Sequence, residues 1–590
     1  MFLITTADQR FWKTDEQVLF LGEWCKLFSQ RSVWEKLSYE VLPYHWDDRK
    51  TLYKDYLYLD KLYEQILFQM KDNLNKLHGV NYSLRYWRIV IGPWLYWFIQ
   101  ILYDRYKSIQ KAIESRKVTN TFICRYDEAK WLPRDFPCFR NCSINDDDYN
   151  QYIYGLIIEY TSKIHHEFIG VNGENNPSEE VKGIENHFVL RKFKKIIEVC
   201  GKIIPDHLNR VVLISSFLST LDRIKVQLSL KQIPHLFSPD VLVPVIEMNM
   251  DAREGLLFNL PEVEFERLLG KMIRKQIPLI YIEGYAQMNE RSLRAYPKKP
   301  EVIFTANAYY SNEAFKFWAG YNVERGAKLV GTQHGGHYGT GLWSSLEKHE
   351  LQICDIYYTW GWKSDIYKNT KVLAAAKLNK AKRNIRQKKD GRVLLVLAAL
   401  PRYSYHMYSA PVAASGILSY INDQYRFVRA LSKENQQLLL VRLFGDDRGW
   451  SQRERWNSEL PGIECYQGDK SIIEQTKESR LIVCTYNATT YLEMFVANFP
   501  TVIFWNHNHW ELRPSAHPYF EELRRVGIFH DTPESAAGMV NEICHNPMSW
   551  WNQSEIQQAK DIFCDHFART SDEWLDEWKK ELNRVLINSN

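Results

Sequence analysis

Short continuous apolar runs alternate with helix-length segments through the carboxyl-terminal third of the chain. "GRVLLVLAAL" (391–400), "LLLVRLF" (438–444), "LIVCT" (481–485) and "TVIFW" (501–505) are bounded by turn residues, which suits strands covered on both faces. "GIECYQG" (462–468) and "GIF" near the end are shorter strand candidates. Between them, "ILSYINDQYRFVRALSKENQQ", "SIIEQTKES", "TTYLEMFVAN" and "TPESAAGMVNEIC" have helical spacing, the last with Pro533 where a first helical turn accepts it. Strand–helix alternation with short connections predicts a doubly wound parallel sheet that binds its ligand at the carboxyl ends of the strands.

The amino-terminal half is less regular. "MFLITTA" and "VLFLGEWC" are two strand candidates, the pattern is helical from about Trp46 to Arg116, and residues 141–183 are polar and loop-like. Strand candidates return at 210–217, 301–307, 328–336 and 354–362. These segments predict an α/β domain over residues 1–370 with a large helical insertion at about 46–200. A linker at 371–392 leads to a Rossmann-like domain at 393–548, and Trp-rich helices at 549–590 pack back across both.

Composition narrows the class. Among the 590 residues 45% are hydrophobic and 25% charged, which are ordinary globular values. A net charge of +5 on this length gives no reason to expect nucleic acid. The linker "KVLAAAKLNKAKRNIRQKKDGR" carries nine basic residues and one Asp; it reads as a solvated helix or as peripheral contact with an anionic membrane. The ten cysteines show no zinc spacing and read as reduced. The longest apolar run, Ile89 to Tyr103, falls short of the roughly twenty residues that span a bilayer. It reads as a buried helix, and the start lacks a signal peptide. A cytoplasmic protein, peripheral at the inner membrane, is the expectation.

The candidate chemistry sits at strand ends. "GTQHGGHYGTG" (331–341) places Gln333, His334, Gly335, Gly336 and His337 just after an apolar strand. Such a loop suits close approach of a ligand to the backbone, with His334 as the acid/base group and the others binding that ligand. "LIVCTYNATTYLE" is a strand, a tight loop and a helix start. Asn487, Thr489 and Thr490 there stand beside free N–H groups that suit a phosphate, and Glu493 one turn on suits ribose hydroxyls. Thr490 and Glu493 also fit a capping box. Arg402 and Arg442 follow or end strands and suit a phosphate or a sugar carboxylate. His517, in "SAHPYFEEL", is a further donor-binding candidate. Asp48 (with Asp47) and Glu313 are alternative bases. Asp146 to Asp148 read as a solvated acidic loop.

"WDDR", "RYWRIVIGPWL", "YDRY", "GTQHGGHYG", "YYTWGW", "NATTYLE" and "HPYFEEL" together resemble a family of transferases encoded in O-antigen and surface-polysaccharide gene clusters. The resemblance implies a GT-B-like glycosyltransferase, with two Rossmann-type domains facing a cleft and no bound metal or cofactor. It implies a nucleotide sugar on the carboxyl-terminal side and a lipid-linked or oligosaccharide acceptor on the amino-terminal side. The His-Pro element at 517 resembles that of transferases using CMP-activated acidic sugars, so a CMP-linked ulosonic acid is the preferred donor. The alternatives are a CDP-alditol polyol-phosphate transferase and a non-catalytic polysaccharide-binding or export component.

Overall fold

The computed structural model describes all residues except 126, 171–204, 206–207, 236–240, 245, 412–414 and 588–590. The end of the expected insertion, 171–200, therefore lies outside the described residues. Among the described residues the strands form three sheets, and every pairing within them is parallel.

The first sheet comprises β1 (Phe2–Ile4), β2 (Val18–Phe20), β3 (Tyr39–Val41), β4 (Asn120–Cys124) and β5 (His166–Ile169), in the order β3-β2-β1-β4-β5. The sequence pattern grouped its first two strands with those beyond residue 210; they pair instead with β3 and β4. Strands β3 and β5 are only partly buried, so they carry no apolar run by which to recognise them.

The second sheet comprises β6 (Val211–Ile214), β7 (Val302–Thr305), β8 (Lys328–Thr332), β9 (Ile356–Thr359) and β10 (Thr370–Val372), stacked in simple sequential order. The third comprises β11 (Arg392–Val396), β12 (Leu439–Arg442), β13 (Cys465–Tyr466), β14 (Ser479–Cys484), β15 (Thr501–Phe504) and β16 (Phe529–His530). Its order, β13-β12-β11-β14-β15-β16, reverses between β11 and β14. That reversal splays the two following loops apart and leaves a crevice at the strands' carboxyl ends.

Two long helices, Arg49–His78 and Leu84–Ser115, connect β3 to β4. The apolar run from Ile89 to Tyr103 lies in the second of these and is buried throughout. It packs against Glu313–Glu324 of the second sheet's layer and Asp147–Thr161 of the first. A helix covered on all sides is apolar all round, which accounts for the run without a bilayer. Among the described residues, no helix is long and apolar enough to cross a membrane. At the far end, Phe563 packs on Phe495 and Phe520 of the third sheet's helices, while Trp578 and Leu582 join the core of the second sheet.

The basic stretch adds β10, a helix at Ala376–Asn384 and the start of β11. Lys382 pairs with Asp572 and Arg383 with Asp222, and both cations are largely exposed.

Candidate functional site

The loop after β8 and the turn after β14 meet face to face, so the second and third sheets share one cleft. The Gly336 N–H donates to Thr489 Oγ1 at 3.1 Å, and Asn487 Nδ2 donates to Thr340 Oγ1 at 3.1 Å. A Cβ on Gly336 would lie 2.4 Å from the Ala488 carbonyl, and one on Gly339, at φ +75°, 2.4 Å from the Trp362 ring. These two glycines therefore admit other parts of the protein, not a ligand. Gly335 is looser; its Cβ would come to 3.3 Å from the His337 ring. Gly336→Ala should cost about 1–3 kcal/mol of stability by forcing the loops apart. Denaturant unfolding checks this, and an unchanged midpoint would mean the two loops are not tightly joined.

Gln333 anchors the loop. Its Oε1 accepts from the Trp360 N–H and from Trp362 Nε1, and its Nε2 donates to the Gly335 carbonyl. With every amide group used, Gln333 is structural and does not bind a donor. Asn487 is likewise consumed, since its Oδ1 accepts from Tyr491 Oη.

His334, only partly exposed, is the titratable side chain of this loop that reaches the cleft. Its Nε2 lies 3.0 Å from Glu350 Oε1 and 3.1 Å from Tyr338 Oη, while its ring stacks 6.0 Å from that of Phe217. Glu350 is fully buried and also accepts from the hydroxyls of Tyr338 and Tyr357, both at 2.6 Å. With that acceptor facing it, the imidazole places its proton on Nε2. Nδ1, which makes no hydrogen bond, is left as the basic nitrogen. His337 differs: burial holds it down at about 3, so it stays neutral. Its ring lies 5.3 Å from that of Tyr408.

Across the cleft, the helix Thr489–Val496 begins at Ala488 with no side-chain cap. Thr490 Oγ1 bonds Tyr486 Oη at 3.0 Å and not the helix, so the capping box suggested by Thr490 and Glu493 does not form. The Glu493 carboxyl makes no hydrogen bond; burial raises its pKa, opposed only by Lys377. Lys377 also sits 5.4 Å over the Phe217 ring, and Phe217 is held at φ +57°. Arg442 ends β12 beside the Tyr486 turn, donating to the Lys470 carbonyl and to Gln475 without a carboxylate partner. The cleft therefore offers uncapped N–H groups, an unpaired guanidinium, a carboxyl without donors and an oriented imidazole.

The remaining candidates lie elsewhere. Asp48 caps the helix Arg49–His78, accepting from the Lys50 N–H and the Thr51 hydroxyl, so it is no base. Glu313 is buried with Lys316 at 2.8 Å and accepts from Tyr281, which makes it a core ion pair. Arg402 donates to the Trp24 carbonyl and pairs with Asp147 at 2.6 Å, tying the third sheet to the first. Asp146 to Asp148 are therefore not a solvated loop: Asp146 caps its helix, Asp147 holds Arg402 and Tyr403, and Asp148 pairs with Arg10. His517 stands exposed at the start of its helix, with no hydrogen bond. No group of three or more potential metal ligands gathers among the described residues.

Sequence reasoning missed Glu350, Tyr338, Phe217 and Lys377. Lys377 was visible only as part of a basic run, and Glu350 stands sixteen residues from the histidine it orients.

No curated protein matches the chain. Among solved structures it is similar to Acinetobacter baumannii MurG, with 10% identity over 51% of this chain and 80% of that one and a TM-score of 0.29. It is similar to WaaG, a glycosyltransferase involved in lipopolysaccharide biosynthesis, with 10% identity over 64% and 99% and a TM-score of 0.26. The wall teichoic acid polymerase TagF, soaked with CDPG, matches at 10% identity over 51% and 85% with a TM-score of 0.29. Likeness at this level adds nothing to the parallel sheets and shared cleft already described. The family model that matches spans residues 1–582, and by it the chain belongs to the LIC12162 family transferases.

Proposed function

We propose that this transferase moves a glycosyl unit from a nucleotide-activated donor to a hydroxyl of a growing surface polysaccharide. The observation that carries this reading is the His334–Glu350 pair, with Nδ1 free, facing an uncapped helix start across the cleft. The donor phosphate sits at the Thr489–Thr490 turn near Arg442, and Glu493 accepts from ribose hydroxyls. His334 Nδ1 takes the acceptor proton as the acceptor oxygen bonds the anomeric carbon. The bond from that carbon to the phosphate oxygen breaks, and the nucleotide leaves with the electron pair. A CMP-linked ulosonic acid is the preferred donor, and the acceptor is lipid-linked or an oligosaccharide. Exposed Lys380, Lys388 and Lys389 favour peripheral contact with an anionic membrane carrying that acceptor.

Calorimetric titration with CMP, CDP, UDP and GDP tests the donor class. Tightest binding of CMP supports the reading, tightest binding of CDP favours an alditol-phosphate donor, and no binding removes the nucleotide site. Glu493→Gln should weaken nucleotide binding about tenfold, because a charge-assisted hydrogen bond is lost. Its melting temperature should hold or rise, since a buried carboxyl without donors is removed. Lower stability with unchanged affinity would assign Glu493 to the fold.

A further inference from the structure

A second feature of the cleft was invisible in the sequence. Beyond His337, side chains from the segments that follow strands of all three sheets converge in one partly exposed cluster. Tyr310 follows β7, Arg140 lies in the helix Phe136–Asn145 after β4, Tyr405, His406 and Tyr408 follow β11, and Arg448 follows β12. Behind them packs Trp97 of the long buried helix, whose ring lies 4.9 Å from His406 and 6.0 Å from Tyr310.

The cluster is largely aromatic. His406 stacks on Tyr408 with centroids 5.1 Å apart and planes at 15°, and the hydroxyls of Tyr405 and Tyr408 bond each other at 2.9 Å. The charge is positive. The Arg140 guanidinium sits 5.6 Å over the Tyr310 ring and makes no ion pair among the described residues. Arg448 pairs only with Asp446, whose side chain is 60% exposed, so that pairing is weak and easily exchanged. Arg140 stands near His406, and Arg448 near Tyr408. Burial pushes His406 down to about 3, which keeps it neutral, and its Nδ1 is buried without a partner.

Unpaired guanidinium beside aromatic faces and hydroxyls is a chemistry with a definite complement. The aromatic faces match the C–H face of a pyranose, the tyrosine hydroxyls match its hydroxyls, and a planar fork of donors matches a carboxylate or phosphate. A nucleobase would satisfy the stacking but leave the arginines unanswered. We propose that this cluster of Arg140, Tyr310, Tyr405, His406, Tyr408 and Arg448 is a subsite for an anionic sugar unit. It rests on the reading that the cleft handles glycosyl groups, and it names their class: a sugar ring bearing one carboxylate or phosphate.

Ligand-observed NMR of the full chain with glucuronate, glucose 6-phosphate and glucose tests it. At least one anionic sugar should bind about tenfold or more tightly than glucose. Which of the two binds better tells carboxylate from phosphate. Arg140→Gln should erase most of that preference, and Arg140→Lys, which keeps the charge without the fork, should restore part of it. Equal binding of glucose, no binding of any of the three, or an unchanged preference in Arg140→Gln would overturn the subsite. CMP titrated into the same Arg140→Gln protein should bind as in the parent, which also confirms that the variant folds. Loss of nucleotide binding in the parent itself, with the anionic preference intact, would remove the donor site and leave this one standing.

Discussion

His334→Ala should lower turnover about 100-fold or more, the usual cost of losing a general acid or base. Its effect on stability should be small. Although the side chain is only 17% exposed, the loop is held independently by Gln333 and by the Gly336–Thr489 contact, and Glu350 keeps its two tyrosine donors. Initial rates and donor affinity have to be measured separately, because a pure loss of affinity would place His334 in binding. Glu350→Gln separates orientation from mere presence. The amide offers one acceptor oxygen where the carboxyl group offers two, so the imidazole Nε2–H loses its fixed partner and turnover should fall with little change in donor affinity. That variant should also melt lower, since Glu350 serves the hydroxyls of Tyr338 and Tyr357. Normal turnover in His334→Ala would remove this histidine from the chemistry and make His337 the next residue to test.

Lys316→Met should destabilise the fold by about 3–5 kcal/mol, because it strands a buried carboxylate. Lys316 and Glu313 are both buried, and they meet at 2.8 Å beneath Tyr281. Burial raises the Glu313 pKa, and Lys316 is the main influence lowering it. Without the lysine that pKa rises further above its unfolded value, so ionised Glu313 weighs against folding at high pH. Protonation relieves the penalty as the solution is acidified. The deficit relative to the parent protein should accordingly be larger at pH 8 than at pH 5 in denaturant unfolding. Glu313→Gln combined with Lys316→Met should recover most of it. A deficit under about 1 kcal/mol at pH 8 would mean that solvent reaches the pair. Turnover per folded molecule should survive in the double variant, as expected if Glu313 is not the base.

The apolar runs of the third sheet were legible because its inner strands are covered on both faces and need side chains of one kind. The same reasoning located β6 to β9 and identified the Ile89–Tyr103 helix as buried. It could not assign β1 and β2 to their sheet, since three-residue strands carry no record of which partner they pair with. Nor could it find β5, an edge strand with half its residues exposed.

The cleft divides in the same way. The chain alone located the glycine loop after β8 and the strand–turn–helix after β14, because strand ends, glycines and helix starts are local features. It marked His334, Thr489 and Glu493 by that local context. The spacing of Thr490 and Glu493 fitted a cap and a ligand site equally, and only the backbone at Ala488 decided against the cap. Gly336 was read as space for a ligand, yet the occupant is the backbone of residue 488. Asp48, Glu313, Arg402 and the acids at 146–148 have the right chemistry, but caps and ion pairs use it up. Glu350, Lys377 and Arg140 show the converse, since no spacing links them to the cleft. A local pattern fixes what a side chain can do, whereas its partners come from segments up to hundreds of residues away. Whether a charge is spent on the fold or left over for a ligand is therefore settled only when the three sheets pack together.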